Sequence, residues 1–143
     1  MLNLPMPGQE PSRDVAGPGA SNHGEVATLD AQALAGLREL DPTGANRLIE
    51  RVVKAYQDSL DRLVPQLLEA RSKSDATGLR HVAHTLKSSS ASIGALHLSS
   101  LCAALETAVR NGASEGLDAG VDALCSEVQR VRPALEQLAP RPR

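Results

Sequence analysis

A chain of 143 residues with no Phe, no Trp and a single tyrosine, Tyr56, has to fill its interior with aliphatic side chains. Leu and Ala, which rank at the top of the helix-propensity scale, supply much of that material. The β-branched and aromatic residues that favour strands are thin throughout. The core must therefore come from Leu, Val, Ile and Ala on amphipathic helices, which predicts an all-α protein. The length suits one domain with a real core.

The periodicity of the apolar residues divides the chain. Residues 1–27 carry Pro5, Pro7, Gly8, Pro11, Gly17, Pro18, Gly19 and Gly24, hold no periodic apolar face, and read as a flexible tail or linker. A short helix starts near Thr28 or Asp30, either of which can cap it, with Leu29, Ala33, Leu37 and Leu40 expected inward. Asp41-Pro42-Thr43-Gly44 ends it. A second helix is expected from about Ala45 to Ser72, with Leu48, Val52, Tyr56, Leu60, Leu63 and Leu67 inward and Pro65 kinking or splitting it. A third spans about Asp75 to Ile93 and a fourth about Ala95 to Arg110. A fifth, from about Glu115 to Leu138, has Leu117, Val121, Leu124, Val128, Val131, Leu135 and Leu138 in heptad spacing and a bend expected at Pro133. Residues 140–143, with Pro140 and Pro142, are expected to be disordered. Four long amphipathic helices with short connections predict an antiparallel four-helix bundle over residues 28–139, with an additional short N-terminal helix across one end.

A formal charge of -2 argues against nucleic acid as a partner, because a general binder needs a basic stripe to displace counterions. Without aromatics there is no stacking platform for single strands. No apolar run approaches the roughly 20 residues of a membrane-spanning helix, and the N-terminus lacks signal-peptide features. The expected compartment is the cytoplasm, where Cys102 and Cys125, both on apolar faces, stay reduced.

The informative stretch runs from His81 to Glu106. On a helical wheel Leu79, Ala83, Leu86, Ser90 and Ile93 share one sector, the core face of the third helix. His84 lies roughly 140° from its centre, on the solvent side. Lys87, Ser88 and Ala91 follow at three, four and seven residues and share an exposed strip with it. A neutral imidazole is a good phosphoryl acceptor, and histidine, with a free pKa of about 6.5, is mostly neutral in the cytoplasm. A phosphoryl group adds close to two negative charges, which an ammonium one turn along partly neutralises; Lys87 is placed for that. Ser88 and Ala91 are small enough to let a partner approach, and the Ser88 hydroxyl can donate to a phosphate oxygen. On the fourth helix Leu98, Leu101, Cys102, Leu105 and Val109 face inward, with Glu106 at the edge. There its carboxylate can accept from Nδ1–H of His84, fix the tautomer and leave Nε2 outward.

His84-Thr85-Leu86-Lys87, Ser88-Ser89-Ser90, Ile93-Gly94-Ala95, and Leu98 through Leu101-Cys102 to Leu105-Glu106 together resemble the signature of the histidine-containing phosphotransfer domains of phosphorelays. The helix layout extends the likeness from about Thr28 to Leu138. The resemblance implies a phosphoryl carrier with His84 as phosphorylation site, Lys87 as its basic neighbour and Glu106 in the place of the ring-orienting acid or amide. Many members have Gly directly after the lysine; here Ser88 stands there. The implied partners are response-regulator receiver domains, which bring their own Mg²⁺, and a hybrid sensor kinase is a further candidate. The Pro/Gly-rich start suits a kinase linker and a free-standing protein equally.

Blander readings compete. A lone surface histidine is usually a solvated side chain; only the spacing of Lys87, Glu106 and the small residues raises His84 above that. His81, one turn earlier, is best read as a boundary histidine at the rim of the docking face, and His97 as ordinary surface. Metal binding by His81 and His84 lacks converging carboxylates, because the inward positions are apolar. No nucleophile elbow or phosphate loop occurs, so the chain has no ATP site or kinase activity of its own, and no cofactor is expected. The rival function is a non-catalytic helical module that binds or sequesters a partner. A monomer is expected, since no second apolar stripe is evident.

Overall fold

The computed structural model describes residues 28–139. The tail expected over residues 1–27 and the disorder expected over 140–143 lie outside the described residues. Five helices follow one another: α1 (Ala31–Glu39), α2 (Leu48–Ser72), α3 (Ala76–Ser92), α4 (Leu96–Arg110) and α5 (Leu117–Leu138). Among the described residues there is no strand. Each of α2 to α5 packs against its neighbours in sequence, and α5 closes back on α2, giving the up-and-down bundle expected of four amphipathic helices with short loops.

The helix starts follow local chemistry. The Asp30 carboxylate accepts from the backbone N–H of Ala33 at 3.0 Å and caps α1, which settles the choice between Thr28 and Asp30. Asp75 does the same for α3 through the N–H of Gly78, also at 3.0 Å. Helix α2 begins at Leu48 rather than Ala45. The two oxygens of Asp41 accept from the N–H groups of Asn46 (3.2 Å) and Leu48 (3.0 Å), and Gly44 and Arg47 take positive φ of 75° and 55°. That turn consumes the residues assigned to the helix.

Neither internal proline splits its helix: α2 runs through Pro65 and α5 through Pro133. Proline removes one intrahelical bond, and packing around it outweighs the loss. Leu60, Leu63 and Leu67 on either side of Pro65 are buried, and Asp61 is bridged to Arg132 of α5 at 3.0 Å.

The inward face of α1 differs from expectation. Leu34 is its buried residue, Ala33 and Leu37 are half-buried, and Leu40 is 73% exposed. Nine residues give too few turns for periodicity to fix the phase. Docking fixes it instead: α1 packs on α2, and the N–H of Asp30 donates to the carbonyl of Gly94 in the α3–α4 turn at 2.7 Å. Gly94 has φ +89°, and a Cβ there would stand 2.9 Å from the Asp30 nitrogen. Both the backbone conformation and the close approach require glycine.

The core is aliphatic, as the composition dictates. Leu60, Leu86, Leu98, Leu124 and Leu135 are fully buried, while Leu101, Val109, Leu117 and Leu138 are only half-buried at its margin. Tyr56 lies inside with its hydroxyl 2.6 Å from the Ser90 hydroxyl, so both buried polar groups are satisfied. Both cysteines are free thiols. Cys102 is buried, which pushes its thiol up to about 12, and Cys125 is half-buried.

Candidate functional site

The core face of α3 is as the wheel predicts: Leu79, Ala83, Leu86, Ser90 and Ile93 are all buried, joined by Val82. Burying that face turns His84 outward, and its side chain is 66% exposed. Ser88 and Ala91 are exposed on the same strip, and Lys87 is half-buried. The strip is therefore a wall of small residues leading to one standing imidazole.

Glu106 reaches His84 from α4. Its Oε2 lies 2.8 Å from Nδ1 of His84, and its Oε1 accepts from the Lys87 ammonium, also at 2.8 Å. Expected at the edge of the α4 face, Glu106 is instead almost fully buried, with 5% of its side chain exposed. A buried carboxylate requires partners, and here it has several. Hydrogen bonds from Lys87, then from His84, bring its pKa from the ordinary 4.5 down to about 2. An ionised Oε2 can only accept, so Nδ1 of His84 carries the proton, and the ring that it anchors is largely open to solvent.

Two features escaped the sequence reading. Lys87, expected to wait for a phosphoryl group, is paired with Glu106 in the unphosphorylated state. Arg110 brings a second cation, with Nη2 3.6 Å from Oε2 of Glu106. Its signal was present: it follows Glu106 by four residues on α4, the spacing at which helix side chains meet.

The remaining sites are peripheral. His81 is exposed and lines a shallow groove with Gln66, Glu69, Lys73 and Asp75, between the end of α2 and the start of α3. His97 is exposed at the start of α4. Among the described residues no group of three or more His, Cys, Asp or Glu is arranged to hold a metal ion, so His81 and His84 do not converge with a third ligand. No described helix is long and apolar enough to cross a membrane.

A four-helix bundle that presents one acid-anchored imidazole on an open helix face defines a class of protein, the helical histidine phosphotransfer domain. The Hpt domain family model matches residues 51–134, and the chain belongs to that family. Among solved structures it is similar to the histidine-containing phosphotransfer protein B (HptB) from Pseudomonas aeruginosa PAO1. The two are 29% identical, with a TM-score of 0.66 over 81% of this chain and 97% of that one. The comparison with curated proteins yields no match. The protein is thus a histidine phosphotransfer intermediate of phosphorelays, and the reading as a non-catalytic helical module is not favoured. Hpt domains pass phosphate to response-regulator receivers.

Proposed function

We propose that His84 carries the phosphoryl group on Nε2, between the aspartates of two receiver domains. The observation behind this is the pairing of Nδ1 with a buried carboxylate while the rest of the ring stands in solvent. The Nε2 lone pair attacks the phosphorus of a receiver's aspartyl phosphate. The N–P bond forms as the P–O bond to the aspartate breaks, and the aspartate leaves as a carboxylate. Positive charge develops on the ring as its lone pair is donated, and Glu106 meets it from the Nδ1 side. Handing the group to a second receiver reverses these steps.

Lys87 is the nearest cation on the same helix face and reaches the phosphoryl group by exchanging its contact with Glu106. Arg110 then remains beside the carboxylate. Ser88 and Ala91 give the receiver room, and His81 lies at the rim of its footprint. Mg²⁺ comes with the receiver; Glu106, the carboxylate that anchors the ring, is already engaged by His84, Lys87 and Arg110.

We also propose a cytoplasmic location and a monomeric state. Among the described residues the exposed large hydrophobic side chains are Leu40, Leu68 and Leu96, each on or beside a different helix, so no single helix presents a second apolar stripe. A dimer mass in light scattering would refute the second point.

The deciding experiment mixes the protein with a phosphorylated receiver and follows the label. We expect acid-labile, base-stable label on the wild type and none on His84→Gln. Label on both proteins, or on neither, removes the assignment.

A further inference from the structure

Ser99 stands on α4 seven residues before Glu106, about two turns away on the same face. Its hydroxyl donates to the backbone carbonyl of Lys87 on α3 at 2.8 Å. Ser89 and Ser92 behave differently: Ser89 donates to the carbonyl of Thr85 and Ser92 to that of Ser88, both within α3. Ser99 crosses between helices. Lys87 is consequently held from α4 at both ends, its main chain by Ser99 and its ammonium by Glu106.

The need for such a tie follows from the hairpin. α3 and α4 are joined at Ile93-Gly94-Ala95, where Ala95 N–H donates to the Ser90 carbonyl at 2.8 Å and fixes the register at that end. His84 lies about 15 Å further along α3 at 1.5 Å per residue. Over that length Leu86 on α3 and Leu98 and Cys102 on α4 are fully buried, and apolar contact, being non-directional, tolerates axial slip more readily than a hydrogen bond does. The site does not, because His84 and Lys87 must both meet one carboxylate at 2.8 Å. A hydrogen bond has the directional preference that packing lacks.

We propose that Ser99 is a positioning residue for phosphotransfer: its bond to the Lys87 carbonyl sets the register of α3 on α4 that brings His84 and Lys87 onto Glu106. This rests on the reading of His84 as the phosphoacceptor. The bond is a good subject for mutation, because the Lys87 carbonyl keeps the in-helix bond that any mid-helix carbonyl accepts. Ser99→Ala therefore leaves no orphaned backbone group.

The test compares wild type, Ser99→Ala and Ser99→Thr by two measurements. The first is the rate of transfer from a phosphorylated receiver. The second needs no phosphate: the NMR titration of the Glu106 carboxyl carbon and the ring-nitrogen shifts of His84. Ser99→Ala is expected to stay folded, to transfer about two- to tenfold more slowly, the worth of one hydrogen bond, and to titrate Glu106 at higher pH. Ser99→Thr, which keeps the hydroxyl, is expected to restore both. A folded Ser99→Ala that transfers at the wild-type rate overturns the proposal, as does a slow one with unmoved Glu106 and His84 signals. Failure of the underlying reading looks different: the wild type takes no label, or His84→Gln keeps it.

Discussion

At the scale of single residues, the chemistry turns on Glu106. Its folded pKa of about 2, against the ordinary 4.5, is a statement about stability as well as about the site. A carboxyl whose pKa is depressed on folding contributes stability that is fully present above its unfolded value. The contribution is lost as the pH falls through the folded value. The protein should therefore lose it between pH 4.5 and about 2. Glu106→Gln, which does not titrate, is expected to flatten the pH dependence of the urea midpoint across that window; an unchanged slope would show that the pairing adds nothing. Lys87→Ala removes the first cause of the shift and the cation nearest the reacting ring. It should slow phosphotransfer by roughly tenfold or more, as losses of charge-stabilising groups do, while the circular dichroism spectrum stays helical. Wild-type rates in stopped-flow assays would deny Lys87 its role. The position of His84, its strip and its acidic partner were legible from spacing. The burial of Glu106 and the ground-state pairing of Lys87 were not, because both depend on how closely two helices approach.

At the scale of elements, long helices announced themselves and the short one did not. Helices α2, α3, α4 and α5 carry enough turns for the apolar stripe to be legible, although on α2 Val53 takes the core place expected of Val52. Their starts fall later than expected where the turn before them claims residues, through the Asp41 side chain before α2 and the positive φ of Gly116 before α5. Helix α1 is too short for that, so Leu34 rather than Leu40 became its anchor. Its seat on Gly94 makes a sharp test. Gly94→Ala forces a side chain into the left-handed region and against the Asp30 backbone, at a cost of roughly 1–2 kcal/mol for the conformation alone. The expected result is faster hydrogen exchange at the Asp30 amide, which donates to Gly94, with little change in the middle of α4. Equal protection at Asp30 in both proteins would mean that α1 is held elsewhere.

At the scale of the whole molecule, an aliphatic core with no large aromatic besides Tyr56 still has to act as one cooperative unit. Leu60 is fully buried on α2, and Leu60→Ala should cost about 2–5 kcal/mol through lost burial and the cavity left behind. The urea midpoint is expected to fall with the slope unchanged, and transfer to persist wherever the variant remains folded; a cost below 1 kcal/mol would mean the site collapses freely. By itself the sequence determined the class of fold, the core face of each long helix and the exposed imidazole, because each is a property of one helix and its own periodicity. Tertiary structure alone decided the seat of α1, the burial of Glu106 and its sharing among His84, Lys87 and Arg110. Those depend on distances between helices, which are set by side chains far apart in the chain packing to a common density.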